Sequence, residues 1–139
     1  MADELCPVAQ REKFKAMNFQ APVPVLRSFD EAKAKEFYLG FLGFTVDWEH
    51  RFEPDMPLYM QISRSGCIIH LSEHHGDVSP GGGIRIAVDD IDGYHAEIMA
   101  KGYKYMRPGI EQMPWGTREI MVIDPAFNRL MFFAPIKKD

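Results

Sequence analysis

The chain has 139 residues, 46% hydrophobic and 26% charged, which suits one globular domain with a sizeable core and leaves no room for a second. Its formal net charge of −4, with Lys and Arg scattered singly, offers no basic stripe for phosphates, so nucleic acid is not an expected partner. No apolar run approaches the roughly 20 residues of a membrane span, and Met1-Ala2-Asp3-Glu4 lacks the basic and apolar regions of a secretion signal, so the chain reads as cytoplasmic with no membrane partner.

Residues 1–20 read as a tail, with a short helix possible around Ala9 to Met17, and the domain runs over 21–135. A strand is expected from Pro22 to Arg27, then an Asp30 N-cap and a helix with Ala34, Phe37, Tyr38, Phe41 and Leu42 on one face, closed by Gly43. Strands follow at about Phe44 to Phe52, Leu58 to Arg64 and Cys67 to Glu73, separated by Glu53-Pro54-Asp55 and Ser65-Gly66. Cys6 and Cys67 lie in unlike environments, tail and strand, and read as free thiols.

After the polar connector His74 to Gly82 the same order returns. A strand from Ile84 to Val88 leads to Asp89-Asp90 as cap and to a helix with Ile91, Tyr94 and Ile98 on one face, ending at Gly102. Strands are expected at about Tyr103 to Arg107, Arg118 to Ile123 and Arg129 to Ala134. The matched glycines Gly43 and Gly102 suggest two βαβββ modules, about 21–75 and 82–135. Alternation assigns Ile69, Leu71, Ile84, Ile86, Val88, Leu130 and Phe132 to the helix side of the strands. Ile68, His70, Ser72, Gly83, Arg85, Ala87, Arg129, Met131 and Phe133 then form a mixed row, suited to a ligand or to another subunit.

The run Phe37-Tyr38, Phe41-Leu42-Gly43-Phe44, paired with Trp115-Gly116-Thr117-Arg118-Glu119, Asp124-Pro125 and Asn128-Arg129-Leu130, resembles the vicinal oxygen chelate superfamily. That superfamily includes glyoxalase I, the extradiol dioxygenases, the fosfomycin-resistance enzymes and the bleomycin-resistance proteins. The resemblance covers about Ala21 to Pro135 and implies an α+β fold in which two βαβββ modules form a cup-shaped curved sheet with helices outside.

It also implies where a divalent metal would sit, and alignment on the shared motifs puts Val23, Gly83 and Met131 at three of the ligand positions, with His70 alone ligand-capable. One ligand of four does not hold a catalytic ion, so neither metal nor other cofactor is expected. The cluster His70, Glu73, His74, His75 and Asp77 does not rescue a site, since i, i+4 on a strand separates His70 from His74 by roughly 13 Å.

Ala21-Pro22-Val23-Pro24-Val25-Leu26, Phe37-Tyr38 and Leu42-Gly43-Phe44-Thr45-Val46-Asp47, with Trp115-Gly116-Thr117-Arg118-Glu119, resemble the framework of the bleomycin-resistance branch, which implies a dimer that sequesters a cationic glycopeptide antibiotic without catalysis. On that resemblance the expected ligand contacts are Trp48, Phe52, Tyr59, His70, Arg85, Trp115 and Glu119, with Asp47, Glu49, Glu53 and Asp55 as an acidic cluster for a cation, and no catalytic residue. Trp115 packing its hairpin and Tyr59 half-buried in a sheet are the structural alternatives. Two enzymatic readings compete: a metal-dependent glyoxalase or dioxygenase-type lyase or oxidoreductase rearranged around His70, Glu73 and Glu119, and metal-free acid-base chemistry by His70 with Arg85 as oxyanion partner. Gly81-Gly82-Gly83 precedes a strand and reads as a connector, not a phosphate cradle.

Overall fold

The computed structural model describes residues 16–137, so the helix considered around Ala9 to Met17 lies outside the described residues except for its last two positions. The first module holds β1 (Val25–Arg27), α1 (Glu31–Lys35) with a π-helical continuation (Glu36–Phe41), β2 (Thr45–His50), β3 (Tyr59–Arg64) and β4 (Cys67–Ser72). The second holds β5 (Gly83–Ala87), α2 (Ile91–Ala100), β6 (Glu111–Gln112), β7 (Thr117–Ile123) and β8 (Arg129–Pro135). Each module folds its strands into one sheet, in the orders β1-β4-β3-β2 and β5-β8-β7-β6, with the first strand parallel to the last and the others antiparallel. The α+β architecture of two βαβββ units is therefore present.

Both helix starts are built as the sequence predicts. Asp30 accepts the Lys33 N–H at 3.0 Å and Asp90 accepts the Gly93 N–H at 2.9 Å, each satisfying a donor that the first helical turn leaves free. The first helix departs from a regular α-helix after Lys35, where Leu42 N–H reaches back five residues to Phe37 O at 2.9 Å. Phe37, Tyr38, Phe41 and Leu42 are all buried on its inner face. Gly43 ends it with φ of 80°, a conformation an L side chain resists, and a Cβ there would press on the Arg64 guanidinium.

One strand expectation fails. Residues Tyr103 to Arg107 form no strand, and the edge position of this module's sheet, beside β7, is filled by Glu111–Gln112 alone. Tyr103 owes its burial to rings, stacking on Phe41 at 4.5 Å and 18° and edge-on to Phe37 at 5.8 Å, while Pro108 lacks the N–H a ladder needs.

A single apolar core joins the helix sides of both sheets, from Leu26, Ile62, Ile69 and Leu71 in the first module to Ile120, Val122, Leu130 and Phe132 in the second. Polar ties fasten the modules across it. Tyr38 donates its hydroxyl to buried Asp124 at 2.6 Å, and Tyr94 donates to Leu42 O at 2.9 Å. Arg64 pairs with Glu97, and Asn128 donates to Arg27 O at 2.8 Å while accepting from Gly82 N–H at 3.0 Å. Burial, and then the Asp124 charge, push the Tyr38 phenol well above its usual range, so it stays a donor. The Asp124-Pro125 and Asn128 motifs thus serve the scaffold. With both helix sides spent on the core, the opposite face of each sheet is left open.

Candidate functional site

The open face of the first sheet is built by strand alternation plus one irregularity. On β3, Tyr59, Gln61 and Ser63 alternate with the buried Met60 and Ile62, and on β4 His70 pairs directly with Gln61. On β2 the register shifts between Val46 and Trp48, a bulge that turns both Asp47 and Trp48 to the open side. Sequence alternation alone does not place them together.

Trp48 lies parallel to Tyr59, with ring centroids 5.9 Å apart and planes 9° from parallel, and the His70 ring stands edge-on to both at 5.3 Å and 5.2 Å. Trp48 remains 42% exposed, so the outer face of this aromatic platform is free for a flat partner. A hydrogen-bonded chain runs beside it. Tyr59 hydroxyl meets His70 Nδ1 at 2.7 Å, His70 Nε2 meets Gln61 Oε1 at 2.9 Å, and Gln61 Nε2 donates to Asp47 Oδ2 at 2.9 Å. Ser63 Oγ donates to the other Asp47 oxygen at 3.0 Å.

Directionality fixes the protons. Because the Gln61 amide nitrogen serves Asp47, its oxygen faces His70 and can only accept, so Nε2 carries the imidazole hydrogen and Nδ1 accepts from Tyr59. Burial holds His70 below the ordinary imidazole pKa, in keeping with this neutral tautomer. Donation from Gln61 and then Ser63 holds the Asp47 carboxyl below its usual value, so it stays charged. Burial, with a smaller push from Asp77, raises the Tyr59 phenol.

The open face of the second sheet carries a different cluster. Arg85 sets Nη1 and Nη2 against Glu119 Oε1 and Oε2 at 3.0 Å and 2.7 Å, and its Cζ lies 4.5 Å from the Phe133 ring centroid. Glu119 Oε2 also accepts from Thr117 Oγ1 at 2.5 Å and Trp115 Nε1 at 3.1 Å. Four donors on a carboxylate only 3% exposed, led by Arg85 and Thr117, bring its pKa down to about 2. Thr117 and Phe133, not singled out as ligand contacts from the sequence, are legible from their place on the Glu119 row.

Of the seven expected contacts, Trp48, Tyr59 and His70 come together on one face, and Arg85, Glu119 and Trp115 on the other. Phe52 stands apart, 73% exposed beyond β2, with its ring edge-on to His50 at 4.8 Å and His74 at 6.0 Å. The acidic cluster divides as well. Glu49 points to the helix side, where Lys35 holds it at 2.5 Å, and Glu53 and Asp55 sit in the exposed turn, leaving Asp47 alone on the platform. An odd-even difference on a strand is enough to send Glu49 and Trp48 to opposite faces.

The groups on which the enzymatic readings rest each hold other partners here. Both His70 nitrogens are engaged within the protein, Glu73 accepts the Leu58 N–H at 2.9 Å, and Glu119 belongs to the other module. Arg85 is committed to Glu119, not to His70. The His74 loop is held by Ser72, whose Oγ accepts from His74 N–H at 3.1 Å and donates to Asp77 Oδ2 at 2.6 Å. A Cβ on Gly83 would lie 3.9 Å from Met131 Cε, so the two positions aligned with metal ligands are neighbours, but they supply no hard donor. Among the described residues no three His, Cys, Asp or Glu side chains converge, and the residues present do not fit the superfamily's divalent ion.

No helix of the described residues is long and apolar enough to cross a membrane. A family model described as glyoxalase superfamily protein matches residues 8–138. No curated protein matches the sequence. Among solved structures, a bleomycin-binding protein complexed with bleomycin aligns with TM-score 0.66 at 19% identity, covering 86% of this chain and 100% of that one. A glyoxalase-related enzyme from Clostridium phytofermentans aligns with TM-score 0.69 at 21% identity over 88% and 99% of the two chains. An antibiotic-binding protein from Streptomyces sp. CB03234 aligns with TM-score 0.63 at 22% identity over 86% and 98%. The repeated βαβββ topology, the motifs that weld it and the match over nearly the whole length together place this chain in the glyoxalase superfamily.

Proposed function

We propose that the protein binds and sequesters a small molecule without transforming it, in the manner of the bleomycin-resistance proteins, and that its first contact is a flat heteroaromatic group laid on Trp48 and Tyr59. The observation that carries this reading is the parallel, half-exposed Trp48–Tyr59 pair with the charged Asp47 carboxylate at its side. Such a face suits a planar cation, which gains from ring stacking and from the carboxylate together. The neutral, doubly bonded His70 serves as a rigid brace for the platform rather than as a base.

The working unit is a homodimer of domains spanning 21–135. Both open faces carry exposed apolar groups, Val23 and Trp48 on the first, Met121 and Ile123 on the second, more than a monomer gains by leaving wet. The first face bears a carboxylate and the second an exposed guanidinium, so a face of one copy complements the other face of its partner. Sedimentation at micromolar concentration is expected to show a species twice the 16.0 kDa chain mass, and a monomer would refute this part. Calorimetric titration with a copper-free bleomycin-type antibiotic tests the function: saturable binding lost in Trp48→Ala supports it. Near-stoichiometric metal retained through dialysis would overturn the non-enzymatic reading.

A further inference from the structure

We propose that the cavity between α1 and the β7–β8 turn, walled by Tyr103, Tyr105 and Phe127 with Lys33 and Glu36 at its rim, is a second binding site, which takes a free α-amino acid with an aromatic side chain. Its volume is about 320 Å³, at the small end of ligand sites, which suits one ring and a short polar group. Of its lining only Ile123 belongs to an open face of a sheet, so the site depends on neither the Trp48–Tyr59 platform nor the dimer.

Phe127 is the first sign that this surface is used. Asp124 Oδ1 accepts the Ala126 and Asn128 N–H groups at 2.8 Å, and Phe127 N–H donates to Asp124 O at 3.0 Å, a turn that fixes Phe127 at φ of 69°. Glycine or asparagine adopts that left-handed backbone readily, and a bulky side chain resists it. Burial does not offset the conformation, because Phe127 is 71% exposed. A strained ring that packs on little of its own protein points to a binding role. The other two rings of the wall are braced. Tyr103 stacks on Phe41 at 4.5 Å, the Lys104 ammonium lies 5.0 Å from the Tyr105 centroid, and the two tyrosines meet at 5.3 Å and 67° to form a corner. Rings already ordered lose little freedom when a ligand arrives.

The rim supplies one charge of each sign. Lys33 on α1 and Glu36 at the start of its π-helical continuation are three residues apart, hence neighbours on the helix surface. The charges beside them are already committed, Lys35 to Glu31 and Glu49, and Glu31 also to Arg51. Among the described residues neither Lys33 nor Glu36 has an ion-pair partner. Burial first, and then the Glu36 charge, raise the Tyr103 phenol, so this carboxylate lies toward the aromatic wall and the phenol stays protonated. Asp124 also lines the cavity, but its oxygens are filled by four donors. A zwitterion fits this arrangement, with its carboxylate on Lys33, its ammonium on Glu36 and its ring against Tyr105 and Phe127. A simple anion meets Glu36 and a simple cation meets Lys33, each a repulsion that the zwitterion avoids.

The probe is 4-fluoro-L-phenylalanine, followed by 19F NMR with the full chain, beside its N-acetyl derivative, an anion, and its carboxamide, a cation. Saturable binding of the zwitterion is expected, about threefold to fivefold weaker for each blocked derivative and for the zwitterion in Lys33→Gln and in Glu36→Gln. Tyr105→Ala and Phe127→Asn should each weaken it about fivefold to tenfold. Because asparagine relieves the left-handed backbone, Phe127→Asn should at the same time raise Tm by about 3 °C, a gain that removal of a structural ring would not give. Trp48→Ala should leave the titration unaltered, which separates this cavity from the platform. No saturable binding by the wild type, equal binding of the three probes, or affinity unaltered in both Tyr105→Ala and Phe127→Asn would overturn the inference. So would a lowered Tm in Phe127→Asn, since it would give the ring a packing role.

Discussion

Removing the Tyr38 hydroxyl tests how the two modules are joined. Asp124 accepts four hydrogen bonds: from Ala126 N and Asn128 N on Oδ1, and from Tyr38 Oη and Asn128 Nδ2 on Oδ2, at 2.6 to 2.8 Å. Tyr38→Phe keeps the fully buried ring and its edge contacts with Phe37 and Phe44, and withdraws one of these donors. A hydrogen bond to a charged group is worth about 1.5–3 kcal/mol, and because three donors remain the loss belongs at the lower end, about 1.5–2 kcal/mol. For a domain of this size that corresponds to a fall in Tm of roughly 5–10 °C. Asp124→Ala strands two backbone N–H groups and the Tyr38 hydroxyl together, and should cost more than twice as much. The assay is urea denaturation at one fixed protein concentration, reading a lower midpoint with an unchanged slope. A loss below about 0.5 kcal/mol for Tyr38→Phe would show that the bond is not made in solution.

Trp48→Ala should weaken binding of a planar cationic ligand by about 0.5–1.5 kcal/mol beyond the lost contact area, with the unfolding midpoint nearly unchanged because the ring is half-exposed; unaltered affinity would move the ligand elsewhere. His70 should appear in imidazole NMR spectra as the neutral Nε2–H form at pH 7, and a charged ring or the Nδ1–H form there would break the chain assigned through Gln61. Glu119 should stay ionised until strongly acidic pH. Its carboxyl is lowered from the ordinary 4.5 to about 2, so its contribution to stability is complete above about pH 4.5 and is lost as pH falls toward 2; Glu119→Gln should flatten that part of the acid-unfolding curve, and an unaltered curve would refute the assignment.

Much of the fold is legible in the one-dimensional pattern because each signal is local. The caps Asp30 and Asp90, the buried helix face from Ala34 to Leu42, and the alternation of Ile69 and Leu71 with His70 depend only on neighbours within a turn or along a strand. The same alternation puts Arg85, Met131 and Phe133 on one face. Tyr103 to Arg107 misleads because Tyr103 finds its partners in the rings of Phe37 and Phe41 instead of a sheet, while Tyr105 is left exposed.

The candidate faces needed the tertiary structure. A bulge between Val46 and Trp48 shifts β2 by one residue, sending Trp48 to Tyr59 and Glu49 to Lys35, and nothing local in that stretch announces it. The proton order along Tyr59, His70, Gln61 and Asp47 depends on strands brought side by side, and the grip of Glu119 on Arg85 spans 34 positions of sequence. The sequence alone determined the repeated units and which residues they bury, since hydrophobic periodicity is read within a strand or a turn. Which polar groups meet, and so which protons and charges each face presents, was decided only by the pairing of distant strands, because a hydrogen bond exists between atoms a few ångströms apart and carries no trace of its partner in the local sequence.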